Sequence, residues 1–136
     1  MILCFVEDDD LSAQAVGFAR GMGEVRAVAF AGDYQPAAWA KVLAAQEAEA
    51  IVAAGSDRGN ELLAHVGALL DQPFAANVIA VDSDTVTRVR WGGSLLEDAR
   101  LHGAPKLLTV APHVHAAAEV GDVEVLEAID DGSPKV

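Results

Sequence analysis

The chain has 136 residues, a formal net charge of −12, and a composition that is 52% hydrophobic and 22% charged. That length suits one domain with one core, and the apolar fraction excludes a disordered chain. The negative charge argues against a nucleic-acid partner, since the nine Lys and Arg are scattered, and no stretch approaches the ~18 apolar residues of a membrane span.

The opening run ILCFV (2–6) is short, continuous and rich in strand formers, which suits a central strand covered on both faces. No basic leader precedes it and acid follows at once, so no signal peptide is expected and the chain is placed in the cytoplasm. Cys4, the only cysteine, lies inside this run and reads as a small core residue rather than a nucleophile.

EDDD (7–10) is a loop with Asp10 as the expected N-cap of a helix. In that helix Leu11, Ala15, Phe18 and Met22 recur, and Gly21 and Gly23 close it. EVRAVAF (24–30) is a second strand and GDYQP (32–36) a turn. Trp39, Val42, Leu43 and Gln46 mark one face of a second helix, and AIVAA (50–54) is a third buried strand.

AAGSDRGNELLAHVGALL (53–70) then turns into a third helix, with Leu62, Leu63, Val66, Leu69 and Leu70 on one stripe and DQP as its stop. Strands alternating with helices imply βαβ units and a mostly parallel sheet. Gly55 and Ser56 follow a strand and precede a helix, where backbone N–H groups and the helix dipole can hold an anion. The turn is neither a Walker loop nor a dinucleotide fingerprint, because the Lys and the further glycines are missing. The plainer reading is that Ser56 or Asp57 caps the helix while Arg58 and Glu61 form an i,i+3 pair. Carboxylates of EDDD would share an edge with any phosphate there, which weighs against an ATP site. The same loop could hold a divalent cation through Asp8, Asp9 and Asp10, although such runs are usually solvated.

NVIAV (77–81) and TVTRVRW (85–91) are separated only by DSD, too little for a crossover helix, so they are expected to be antiparallel neighbours. Gly92 and Gly93 signal a tight hairpin that would put Arg88 opposite Glu97, although SLLEDARLHG reads locally as a helix. KLLTVA (106–111) is another strand, and the remainder is a loop and polar tail with one weak strand, VEVL. His113 and His115 supply at most two metal ligands, with no third nearby. His65 and His102 have no evident catalytic partner, and no nucleophile elbow, HExxH or paired catalytic carboxylate is present.

Taken together, GSDRGNELLAHVGALLDQPFAANVIAVD and the following TVTRVRWGGSLLEDARLHGAPKLLTVAPH resemble the amino-terminal domain of the electron transfer flavoprotein alpha subunit. The family pattern falls here on Gly55, Gly59, Leu62, Leu63, Leu70, Asn77, Val78, Arg88, Trp91, Gly92, Gly93, Thr109, Val110 and Pro112. The resemblance covers most of residues 1–112, leaving 113–136 as loop and tail. It implies a Rossmann-like, three-layer αβα domain of the adenine nucleotide alpha-hydrolase-like kind, with an antiparallel hairpin. It also settles the segment after Gly93 as a strand, against local helix propensity.

By the same resemblance the domain scaffolds an FAD-containing electron carrier with a beta subunit, takes electrons from flavin dehydrogenases and is not a catalyst by itself. The family's carboxyl-terminal domain, which holds most FAD-binding residues, lies outside these 136 residues. FAD is therefore expected in the assembled complex and not on this chain alone, with at most peripheral contact from Ser56, Asp57, Arg58 and Trp91. The stretch from Phe30 to Trp39 is shorter than the family pattern, which implies a smaller sheet. Two rival readings are a small nucleotide-binding or nucleotide-hydrolysing domain with phosphate at Gly55–Gly59, and a structural or regulatory oligomeric domain.

Overall fold

Ile2, Cys4 and Val6 alternate with Leu3 and Phe5 along the first strand, and all five are buried. Such a strand must be covered on both faces, and the computed structural model of the chain, which describes residues 1–90, 95–101 and 103–128, supplies the two covers. The elements are β1 (Ile2–Phe5), α1 (Asp10–Arg20), β2 (Val25–Phe30), α2 (Pro36–Ala44), β3 (Ala50–Ala54) and α3 (Asp57–Leu70), followed by β4 (Phe74–Asp82), β5 (Thr85–Arg90), β6 (Leu95–Arg100), β7 (Lys106–Val110) and β8 (Val123–Leu126).

Among the described residues eight strands form one sheet in the order β6-β5-β4-β7-β3-β1-β2-β8. Every neighbouring pair is parallel except β4–β5 and β5–β6. On one face Ile2, Cys4 and Val6 pack with Ala15, Val16 and Ala19 of α1. On the other, Leu3 and Phe5 pack with Trp39 and Leu43 of α2 and with Leu62, Leu63 and Val66 of α3. This is a Rossmann-like three-layer αβα fold with an antiparallel extension, as the family resemblance implies. Residues 31–35 carry β2 directly into α2.

The local conflict in SLLEDARLHG resolves as strand over Leu95–Arg100. Each residue of β6 finds a partner on β5, with Arg88 opposite Glu97. The Arg88 guanidinium donates to the Glu97 carboxylate through Nε at 3.0 Å, and the Thr87 hydroxyl donates to Asp98 at 2.6 Å. These cross-strand pairs outweigh a helix preference of a few tenths of a kcal/mol per residue. The turn at Gly92 and Gly93 lies outside the described residues. The weak strand VEVL also forms, as β8 parallel to β2, tied by an ion pair from Arg26 to Glu124 at 2.6 Å.

Three local expectations are corrected. Asp9, not Asp10, caps α1, its carboxylate accepting from the Ser12 N–H at 2.8 Å, because Asp9 is the residue with extended backbone before the first turn. Gln46 lies past the end of α2, and its side-chain amide donates to the Val42 carbonyl. Leu69 is 49% exposed while Leu62, Leu63 and Val66 are fully buried. At the last turn of α3 the buried face is carried instead by Leu70, which packs against the aromatic side of the core.

That difference has a measurable consequence. Leu63→Ala should lower unfolding stability by about 2–5 kcal/mol, since it leaves a cavity in a closed core, whereas Leu69→Ala should change it by roughly 0.5 kcal/mol or less. Urea unfolding of both variants checks this; equal losses would place Leu69 in the core after all.

Candidate functional site

Because β1, β2, β3 and β7 run parallel, their carboxyl ends converge on one edge of the sheet, where ligands of open α/β sheets gather. At that edge Ser56 caps α3: with extended backbone (φ −85°, ψ 169°) its Oγ accepts from the Gly59 N–H at 3.1 Å. Asp57 occupies the first helical position, where a carboxylate offsets the positive end of the helix dipole. Gly59 lets α3 sit directly on the end of β3, for a Cβ there would lie 1.9 Å from the Ala54 carbonyl oxygen.

Gly55 is held as tightly. Its N–H donates to the Val110 carbonyl at 2.8 Å, and a Cβ would meet Asn77 Oδ1 and the Val110 carbonyl oxygen, each at 2.6 Å. Asn77 reaches this point because β4 breaks register with β7 between Ala75 and Val78, and Asn77 adopts the left-handed region (φ 57°). Its N–H donates to Thr109 Oγ1 at 3.0 Å, and the fully buried Thr109 hydroxyl donates to Asn60 Oδ1 at 2.7 Å. The amides of Gly55 and Gly59, which a phosphate cradle would turn toward its ligand, are therefore spent inside the protein. Those two amides are not offered to a pyrophosphate.

The basic side chain of the turn is also engaged. Arg58 Nη1 pairs with Glu7 Oε2 at 2.7 Å, and its guanidinium lies over the Tyr34 ring, 4.2 Å from the centroid. The pair expected between Arg58 and Glu61 is thus replaced by two others. Arg58 reaches Glu7 at the end of β1, and Glu61 accepts from the Tyr34 hydroxyl at 2.6 Å. Burial, and then the hydrogen bond to the Glu61 carboxylate, raise the Tyr34 pKa. Tyr34 meets Trp39 edge to face at 5.3 Å, and Trp39 stacks on Phe30 at 4.7 Å. Phe5, Phe30, Trp39, Arg58, Glu7 and Asp8 are among the residues around a cleft of about 240 Å³ beside this cluster.

The structure therefore brings Ser56, Asp57 and Arg58 together with Glu7 on one edge, while Trp91 lies outside the described residues. Cys4 is fully buried and its thiol pKa is pushed up to about 12 by burial, as suits a core residue. Asp9 is occupied as a cap, Asp10 accepts from the Gln14 side-chain amide, and His115 packs edge-on against Phe18. Among the described residues no three His, Cys, Asp or Glu side chains come together as a metal site. Sequence reading placed the acidic loop that contains Glu7 on this edge without its pairing to Arg58, and missed Tyr34, Asn60, Asn77 and Thr109 as parts of it. Only Asn77 carried a local signal, a turn-forming residue inside a strand pattern.

In comparison with known proteins, a family model described as Electron transfer flavoprotein domain matches residues 24–131. None of the curated proteins compared with the chain matches it.

Two outcomes follow from the geometry of this edge. Ser56→Ala should cost about 0.5–2 kcal/mol as a lost cap, and Gly59→Ala about 1–3 kcal/mol or more as overpacking against β3; denaturant unfolding measures both, and neutral substitutions would mean α3 does not start here. Separately, the raised Tyr34 pKa destabilises the fold in alkali. The unfolded phenol ionises from its ordinary value of 10.0 while the folded one stays neutral, so stability is full below that pH and falls above it. As Tyr34 is the only tyrosine, its phenolate absorbance should appear together with unfolding, and Tyr34→Phe should flatten the alkaline limb. Phenolate formation in the folded protein near pH 10.0 would contradict this.

Proposed function

The chain belongs to the electron transfer flavoprotein domain family, and from that premise we propose that it is an alpha-type, non-catalytic domain that scaffolds an FAD-containing electron carrier and docks a beta-type subunit. FAD is held in that complex by a flavin-bearing domain and partner outside these 136 residues. Contact from this domain is confined to the edge at Ser56, Asp57 and Arg58 and to Trp91. Electrons enter the complex from flavin dehydrogenases, and the assembly works in the cytoplasm. Among the described residues no helix is long and apolar enough to cross a membrane.

The observation that carries this reading is the internal use of the α3 start. A domain that held its own nucleotide would present amides or cations to the phosphates. Here Gly55 donates to Val110, Gly59 donates to Ser56, and Arg58 is paired with Glu7. Family membership without a phosphate cradle favours a supporting role over the rival nucleotide-hydrolysing one.

The test is affinity capture of the full chain from its source, followed by an absorbance spectrum. The expected complex is yellow, contains a second flavoprotein-type subunit, and loses all flavin colour from the chain when the partners are separated. Flavin that stays with the separated chain in stoichiometric amount would overturn the assignment of the binding site, and capture without any flavoprotein would overturn the scaffold role.

A further inference from the structure

The described edge holds two oxidisable rings in contact. Trp39 and Tyr34 are each about 95% buried, their exposures being 4% and 5%, and their ring centroids lie 5.3 Å apart. The Trp39 ring stacks on Phe30 at 11° and borders the cleft at the carboxyl edge, so charge brought to that cleft meets Trp39. On its far side Tyr34 donates its hydroxyl proton to a carboxylate already in place, Glu61 Oε1 at 2.6 Å. A phenol loses an electron far more readily when its proton can leave at the same time, and Glu61 is positioned to take that proton. The Arg58 guanidinium over the ring adds a second reason, because it opposes any positive charge left on a still-protonated Tyr34.

From this juxtaposition we propose that Trp39 and Tyr34 form a two-step electron donor, with Glu61 as the proton acceptor of the second step. In the first step a high-potential outer-sphere metal complex of the ruthenium(III) polypyridyl class at the cleft takes one electron from Trp39, becoming ruthenium(II) and leaving the indole radical cation over Phe30. In the second step Tyr34 gives one electron to Trp39, restoring the neutral indole. The Tyr34 hydroxyl proton passes to the Glu61 carboxylate, leaving a neutral tyrosyl radical hydrogen-bonded to a carboxylic acid. Total charge is conserved in the second step: the positive charge leaves the indole and the proton neutralises Glu61. A small reductant of the ascorbate class then gives one electron to the tyrosyl radical, being oxidised by one electron itself, and Glu61 returns the proton. This relay needs no flavin on the chain and stands independently of the scaffold reading.

Composition makes the assignment direct, since the chain has one tyrosine and two tryptophans. The experiment uses the full chain with Trp91→Phe, which leaves Trp39 as the sole tryptophan. Photogenerated tris-bipyridine ruthenium(III) serves as oxidant, its positive charge being drawn to an edge that carries Glu7, Asp8 and Asp57. Transient absorbance should show an indole radical cation whose decay matches the rise of a tyrosyl radical. Tyr34→Phe should remove the tyrosyl signal and prolong the indole radical. Trp39→Phe should abolish most of the tyrosyl yield, with circular dichroism reporting that the variant is folded. The exposed Glu61→Gln, which leaves the buried core intact, should slow the second step by roughly 100-fold, the low end of what a positioned base contributes. A tyrosyl radical that forms equally well without Trp39, or at an unchanged rate in Glu61→Gln, or not at all in the parent protein, would overturn the proposal.

Discussion

A single carbon atom on residue 59 would stand 1.9 Å from the carbonyl oxygen of Ala54, and much of the edge depends on that absence. With glycine there, α3 starts directly on the end of β3, the Ser56 hydroxyl reaches the Gly59 N–H, and the next turn is committed to the helix. The same seating aims Arg58 across the sheet toward Glu7 and places Glu61 beside Tyr34. Gly55 repeats the constraint one step earlier, wedged between Asn77 and Val110. What looks in the sequence like a glycine-rich anion loop is, in the fold, a tight seam between a helix and three strand ends.

That seam limits what a turn in the position of a phosphate site offers to phosphate. The amides of Gly55 and Gly59 are consumed by Val110 and Ser56, the first helical position is taken by an acid, and the adjacent cation is paired with Glu7. Around it the chain carries a net charge of −12, which further opposes polyphosphate ligands. A family built around electron carriers can use such a domain as support, because the cofactor chemistry and the fold that frames it need not reside in the same unit.

Much of the architecture was legible in the residues, for physical reasons that also mark the limit. Continuous apolar runs at 2–6 and 50–54 read as central strands because both faces are covered, and AIVAA matches β3 residue for residue. The close spacing of NVIAV and TVTRVRW forced an antiparallel pair, since three residues cannot build a crossover. SLLEDARLHG could not be decided locally, because its strand form depends on β5, and only the resemblance carried that information. Periodicity likewise overextended the apolar stripe of α3 to Leu69, as a 3.6-residue pattern says which residues share a face but not where the partner surface ends. The site was read least completely. The cap was narrowed to Ser56 or Asp57 from neighbours alone, and Ser56 fills it, but Arg58 finds Glu7 51 positions away, and Thr109 finds Asn60 49 positions away. Partners at that distance in the chain leave no local pattern, so the nearer acid, Glu61, was the natural but wrong choice for Arg58.

The start of α3 spends its two glycine amides on the protein's own oxygens, which leaves a phosphate to compete for them. Calorimetric titration of the full chain with AMP tests it most directly, because AMP carries the phosphate a cradle would hold without needing a metal or a flavin. No binding heat beyond dilution is expected, with the amide resonances of Gly55 and Gly59 unmoved. Saturable binding that shifts those two amides would contradict it.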